Sequence, residues 1–298
     1  MASTLQTTHT LRSRKPDFIA RKRDEVRTPE RLRAHYEVER ELADRVRNAG
    51  SWEARRAVFA TMYDELFARV PDHPRRASKR ADSDAREKQI RWNLAQLAPY
   101  LKPGQTFLEV GAGDCALASR VATEAKQVYA VDISDQVQGA LPQNVKLVIT
   151  DGRSIDVPAG TVDLAFSDQV MEHLHPDDAV EQLRNIHRAL KPGGVYVCVT
   201  PSRVYGPSDV SAFFDDEPSG FHLKEYTLRE ICDIFAAAGF SRSHVYVGAR
   251  GYFMRCPAFA VRAVESFLLA LPAPLRRRLA DQKLFRALLG LRVAAIRD

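Results

Sequence analysis

The segment Phe107-Leu108-Glu109-Val110-Gly111-Ala112-Gly113-Asp114-Cys115-Ala116 sets two glycines where an apolar run gives way to a helical pattern. Gly111 permits a tight turn and Gly113 lets a ligand approach the backbone. The helix that follows offers unpaired N–H groups to a polar or anionic ligand. Asp132 closes the next apolar run, 18 residues after Asp114. A carboxylate there accepts both hydroxyls of an adenosine ribose. Strand, glycine turn, helix, strand and acid together point to nucleoside binding.

Gly111, Gly113 and Ala116 also satisfy the G-x-G-x-x-G/A dinucleotide fingerprint, so a nicotinamide-dependent oxidoreductase is the competing reading. Glu109 separates the two. A dinucleotide fold cradles a diphosphate at this turn, and an acid pointing into it repels that charge. A cofactor with a cationic amino-acid end welcomes the same carboxylate. This favours S-adenosylmethionine, which is positive at both its sulfonium and its ammonium.

A second set of reactive side chains lies in Ser167-Asp168-Gln169-Val170-Met171-Glu172-His173-Leu174-His175, after the fourth apolar run. His173 and His175 are candidates for a general base, because imidazole titrates near working pH. His222, in Gly220-Phe221-His222-Leu223-Lys224-Glu225-Tyr226, follows the fifth run and could fold over the same pocket. Plainer roles compete with these. His173 could simply cap and pack a turn, His222 could bond to loop backbone, and Tyr63 could be core.

The hydrophobic rhythm supplies the frame that must hold these groups. Thr28-Pro29-Glu30 reads as an N-cap with proline at the first helical position, opening a charged helix that stops at Gly50. Ser51 caps a second helix with Trp52, Val58, Phe59, Met62, Tyr63, Leu66 and Phe67 on one face. Residues 71–84 read as a linker, and Ile90, Leu94, Leu97 and Leu101 mark a third helix. From Thr106 the apolar runs 107–110, 128–131, 145–149, 162–166 and 195–199 alternate with helical patterns at 115–123 and 179–190. That alternation predicts an α/β, doubly wound, mostly parallel sheet with helices on both faces. Runs 244–247 and 252–255 are too close for a crossover helix, so they form an antiparallel hairpin at a sheet edge. Residues 260–271 and 275–293 read as helices.

With these motifs in order, the stretch from Phe107 to Arg255 resembles a class I S-adenosylmethionine-dependent methyltransferase. Glu109-Val110-Gly111-Ala112-Gly113 resembles the family's first motif, with Cys115 where a third glycine is frequent. Val131-Asp132-Ile133 resembles the ribose-binding strand end, which implies Ile133 against adenine. Asp151-Gly152 stands where the family binds the adenine amino group and a ring nitrogen. Leu190-Lys191-Pro192-Gly193-Gly194 resembles the turn into the fifth strand, and Ala238-Gly239-Phe240 the turn before the terminal hairpin.

The resemblance implies a seven-stranded sheet with a helical cover built from the N-terminal helices. It implies that Glu109, Gly111, Gly113, Asp132, Ile133, Asp151, Gly152, Asp168 and Tyr63 surround the methyl donor. Glu172, His173 and His222 are then the catalytic candidates, with Gln169, His175, Tyr205 and Tyr226 toward the acceptor. Methyl transfer from a sulfonium is an in-line displacement in which positioning and desolvation do much of the catalysis. An oxygen or nitrogen acceptor can also need a base, whereas a thioether sulfur does not. A small-molecule oxygen acceptor is the first expectation. Gln169, Glu172, His173 and His222 also resemble the Glu-x-x-Glu-His…His metal site of small-RNA 2′-O-methyltransferases, which keeps an RNA-modifying enzyme as an alternative. Gln169 replaces the first Glu there and removes a charge, so no bound metal is expected.

Charge sits mainly at the ends. The 298 residues carry 44 Lys+Arg against 38 Asp+Glu, a net of +6. Residues 1–35 hold nine basic against four acidic side chains and residues 273–298 seven against two, leaving the middle net negative. A basic end can touch nucleic acid, anionic lipid or an acidic partner, although a solvated face or loose tail is its ordinary role. No Asn/Asp-Pro-Pro-Tyr/Phe motif occurs, which argues against DNA, and RNA is not the expected partner. A homodimer stays open. No apolar run reaches the roughly 18 residues of a membrane span. Four cysteines without a CxxC fit a reducing, cytoplasmic compartment. The expected division is a basic arm over 1–27, a helical cover over 28–101, a methyltransferase domain over 102–258 and basic helices over 259–298.

Overall fold

Thr28 caps helix α1 (Pro29–Arg47) by accepting from the Arg31 N–H, and Ser51 caps α2 (Trp52–Arg69) by accepting from Ala54. Both starts fall where the sequence puts them. The computed structural model describes residues 27–74, 83–137, 139–249 and 251–298. The expected basic arm, apart from residue 27, and the middle of the expected linker lie outside the described residues. Helix α3 (Ser83–Leu97) leads into the sheet.

Strand β1 (Thr106–Val110) is buried at every position, as a strand covered on both faces must be. After the glycine turn come α4 (Ala116–Val121), β2 (Gln127–Asp132), β3 (Val145–Ile149) and β4 (Val162–Asp168). Helix α5 (Pro176–Ala189) then leads to β5 (Leu190–Thr200). These five strands run parallel in the order β3-β2-β1-β4-β5. The chain reverses direction in the sheet beside β1, so the ends of β1 and β4 diverge into a crevice where ligands bind in such folds.

Period-two alternation feeds two cores. Leu108 and Val110 pack with Ala179, Leu183 and Ile186 of α5 and with Ile231 and Phe235 of α6 (Leu228–Ala237). Phe107 turns the other way, onto Ile90 and Leu97 of α3 and Leu117 and Val121 of α4.

The predicted hairpin forms from β6 (Arg242–Ala249) and β7 (Tyr252–Cys256), with β7 at the sheet edge. Helices α7 (Ala258–Leu269), α8 (Ala273–Ala280) and α9 (Lys283–Leu289) follow. The chain then departs from the sequence reading. Instead of staying helical to Val293 it turns at Gly290 into β8 (Leu291–Ile296), which inserts antiparallel between β5 and β6. The sheet therefore has eight strands, not seven. Leu291-Arg292-Val293-Ala294-Ala295-Ile296 is short enough to suit helix or strand locally. The hydrogen-bonding edges of β5 and β6 decide the matter, and no window of sequence displays those edges.

Helices α1 and α2 pack together in a cluster that includes Leu42, Val46, Met62, Leu66 and Phe221. Arg55 of α2 fastens this pair to the rest of the protein. Its Nε and Nη2 donate to the two carboxylate oxygens of Asp178 in the first turn of α5, at 2.6 and 2.7 Å, with both residues buried.

Candidate active site

The glycine turn is built as its residue types require. Gly111 has φ +76°, and a Cβ there would stand 2.5 Å from the Val170 side chain. Gly113 has φ +54° with open space where a Cβ would point, so a ligand can lie against the backbone. Cys115 adopts φ 59° with a full side chain, the left-handed conformation a glycine would take without strain. The Asp132 carboxylate accepts from Gly113 N–H at 2.8 Å and from Ser134 N–H at 3.1 Å. These two bonds hold the acid at the turn with capacity left for ribose hydroxyls.

Glu109 is buried under this turn. Burial is the main cause that pushes its carboxyl up to about 8, and Asp114, Asp168 and Asp132 add repulsion, against a bond from Ala118 N–H. Its Oε2 has no hydrogen-bond partner. A buried orphan oxygen facing three further acids is a strong call for a cation. A diphosphate would meet four carboxyl groups, so the geometry fits a sulfonium-bearing amino acid and disfavours a dinucleotide. Asp168, at the end of β4, is also raised by burial. Gln89 of α3 donates to it at 3.1 Å and Arg292 of β8 offsets the shift.

The adenine side is less open than the motif implies. Asp151 accepts from Arg153 N–H and Ser154 N–H at 3.0 and 2.7 Å and from the Ser154 hydroxyl at 3.1 Å, closing its own turn. Gly152, at φ +84°, is 3.3 Å in hypothetical Cβ contact from Ile133, which is itself exposed. Ile133 and Gly152 thus share one wall on which a flat ring could lie.

On the other side of β4, Gln169 takes φ 58°, a strained turn for a non-glycine, before a short helical turn, Met171–His173. Glu172 is fully buried. Its Oε2 accepts from the Thr200 hydroxyl at 2.9 Å, while Oε1 has no partner. Burial raises the carboxyl to about 7, with nearby His222 opposing. His173 donates from Nδ1 to the Phe221 carbonyl at 3.0 Å. His222 donates from Nδ1 to Glu225 Oε1 at 2.6 Å, and the two imidazole rings meet edge to face at 4.9 Å. Burial alone would lower the His222 pKa. The Glu225 bond and the charges of Asp209, Glu225 and Glu172 outweigh it and raise it. With Nδ1 held by a carboxylate, the Nε2 of His222 is the free, basic nitrogen. Donor atoms of Glu172, His173 and His222 all lie within 4.8 Å of one another. Two imidazoles and one carboxylate could hold a divalent cation, but Gln169 contributes no charge to that set and stays exposed.

The remaining candidates fall elsewhere. His175 caps α5, its ring nitrogen accepting from Asp177 N–H at 3.3 Å. Tyr205 donates to the Phe285 carbonyl at 3.2 Å and so serves the packing of α9. Tyr226 is buried in the core with an unpartnered hydroxyl and with Lys224 over its ring. Tyr63 packs edge-on against Phe221 at 5.4 Å, in the cover's apolar cluster.

Sequence reasoning missed Glu225 as the partner of His222, although three-residue spacing between a histidine and an acid is a usable signal. It also missed Arg47. That guanidinium donates to the carbonyls of Ser219, Gly220 and His222 at 3.0, 3.0 and 3.2 Å, so α1 clamps the segment that carries His222. Glu39, on the same helix, accepts from Phe221 N–H. More than 170 residues separate the partners, and nothing local announces them.

Known proteins resemble the chain over the region that contains this site. A family model described as a methyltransferase domain matches residues 83–245, just over half of the chain. The chain belongs to that family, the class I S-adenosylmethionine-dependent methyltransferases. A Mycolicibacterium smegmatis protein described as "Probable S-adenosylmethionine-dependent methyltransferase" is 28% identical over 141 residues, 46% of this chain and 52% of that protein. Phosphoethanolamine N-methyltransferase 2 of Caenorhabditis elegans is 29% identical over 148 residues, 47% of this chain and 33% of that protein. The chain thus spans about half or less of the length of these relatives. A solved S-adenosylmethionine-dependent methyltransferase from Mesorhizobium loti superposes with TM-score 0.48 at 19% identity, covering 70% of this chain and 98% of that one. Among the described residues no helix is long and apolar enough to cross a membrane.

Proposed function

We propose that this protein transfers the methyl group of S-adenosylmethionine to a small-molecule acceptor, an oxygen nucleophile first and an amine second. The observation that carries the reading is the His222–Glu225 pair. A buried carboxylate fixes the imidazole tautomer and leaves Nε2 free beside Glu172 and His173. A thioether acceptor would leave such a base idle, whereas a hydroxyl or ammonium must lose a proton.

When bound, the methyl donor supplies an already activated sulfonium carbon. Asp132 would hold its ribose, Glu109 its cationic end, and the wall of Ile133 and Gly152 its base. His222 takes the acceptor's proton at Nε2, and Glu225 stabilises the resulting imidazolium. Glu172, its carboxyl raised to about 7 by burial, is partly protonated at neutral pH and so sets less negative charge than an ordinary glutamate beside the anion that forms on the acceptor. The amine alternative draws support from the phosphoethanolamine N-methyltransferase among the relatives.

The test is a calorimetric titration with S-adenosylmethionine and with NAD, followed by a screen of hydroxylated and amine acceptors that reads S-adenosylhomocysteine. The expected result is donor binding without NAD binding, and product formation that His222→Asn lowers by about a hundredfold. Turnover unaffected by that change would refute the base. Stoichiometric metal on the purified protein, with chelator-sensitive turnover, would overturn the metal-free reading of the cluster.

A further inference from the structure

Of the large apolar side chains left exposed among the described residues, all but Ile133 and Ile149 fall between Tyr252 and Leu284. Helix α7 shows how they are arranged. Val261, Glu265 and Leu268 point inward, and Glu265, its only acid, accepts from Leu228 N–H at the start of α6. The opposite face carries Phe259, Ala263, Ser266, Phe267 and Ala270, spaced i, i+4, i+7, i+8 and i+11, with no charge on it. Phe259 is 76% and Phe267 59% exposed. Among the described residues nothing covers them.

The surroundings are basic. Helices α7, α8 and α9 pack on one another, and α8 and α9 add exposed Leu275 and Leu284 together with exposed Arg278, Lys283 and Arg286. Strand β7, which leads into α7, adds Tyr252 and Met254. Residues 252–290 contain seven Lys/Arg and only two acids. One acid is the inward Glu265, and the other, Asp281, pairs with Arg286 at 3.0 Å. Charge therefore selects the occupant. A second copy of this face would bring like charges together, and residues 1–26 are themselves net basic.

We propose that the α7–α9 face docks on an anionic lipid surface, the aromatic and aliphatic side chains entering the headgroup boundary while Arg278, Lys283 and Arg286 meet lipid phosphates. This lies outside the methyl-transfer reading and does not depend on it.

The experiment is co-sedimentation of the full chain with vesicles of phosphatidylcholine, with and without phosphatidylglycerol. Binding to the anionic vesicles that weakens with salt is the expected result. The pair Phe259→Glu and Phe267→Glu should abolish it. The pair Arg278→Glu and Lys283→Glu, which leaves the apolar face intact, should weaken it by roughly fivefold or more per cation removed. Both pairs sit on the surface, and circular dichroism melting confirms that they fold. Absence of binding, or binding that neither pair alters, overturns the proposal. So does a wild-type dimer in sedimentation equilibrium that the phenylalanine changes dissolve, or retention of an RNA oligomer by this face in preference to vesicles.

Discussion

Replacing Arg47 by alanine tests whether the cover acts on the chemistry by holding the His222 segment. Three charged hydrogen bonds to the carbonyls of Ser219, Gly220 and His222 are lost. Each such bond is worth about 1.5–3 kcal/mol in a dry setting. Arg47 keeps 26% of its side chain exposed, and the freed carbonyls regain water. Roughly 2 kcal/mol for the set is therefore the reasoned figure, well below the sum. At about 1.4 kcal/mol per factor of ten this amounts to a local opening about thirtyfold more frequent. Native-state hydrogen exchange reads it directly, because Phe221 N–H and His222 N–H donate to Glu39 and Asp209 and report the opening of this segment. Arg47→Lys should fall between, since an ammonium cannot span three carbonyls as a fork does. Unchanged exchange at residues 219–222, with unchanged turnover, would refute the clamp.

Four further outcomes follow from groups already described. Because Glu109 is held protonated up to about pH 8, arrival of a cation beside it should release a proton. Calorimetry at pH 7 in buffers of different ionisation heat should read about one proton per S-adenosylmethionine bound, and Glu109→Gln none. The same raised pKa means that the ligand-free fold loses stability as pH climbs from the ordinary carboxylate range through about 8, which urea titrations across that window check. His222 acts as a base only when neutral, and its pKa is raised. Turnover should therefore grow as pH rises through a value above the ordinary histidine range, and Glu225→Gln should move that midpoint down and lower the plateau. Finally, Arg55→Ala leaves Asp178 buried without its partner at a cost of about 3–5 kcal/mol, seen as a melting point lower by roughly 10 °C. Arg55→Met with Asp178→Leu should recover most of the loss.

The parts legible in the sequence were those in which one residue's type answers to its own backbone or to a near neighbour. Thr28, Ser51 and the glycine turn announced themselves because a cap or a positive φ needs a particular side chain, or none, at one place. Glu109 and Asp132 could be paired on paper because the strand–helix–strand unit fixes their separation. The acceptor side could not be read so fully. Glu172 and His222 were both visible as reactive residues, but Thr200, Glu225 and Arg47, which set their proton states and positions, are brought in by packing alone. Tyr205 and His175 show the converse. Residue types suited to a pocket were used for packing and capping, because a nearby carbonyl or N–H needed a partner.

Strand β8 shows how far the C-terminal segment reaches into the site. It lies between β5 and β6, so α7, α8 and α9 are tied into the sheet at both ends, by the hairpin before them and by β8 after. Arg292, paired in register with Val199 near the end of β5, lies against the rings of both Trp92 and Phe253 and donates to Gln96 at 2.9 Å. Burial lowers its pKa, and its charge in turn holds down the Asp168 carboxyl at the donor crevice. The same α3 that supplies Trp92 and Gln96 also supplies Gln89 to Asp168. A chain cut after the hairpin would therefore leave β5 and β6 with open edges and Asp168 without its nearby cation. Such a truncation should weaken donor binding even though every residue of the glycine turn is retained, and the C-terminal helices belong to the folding unit of the site rather than to a detachable tail.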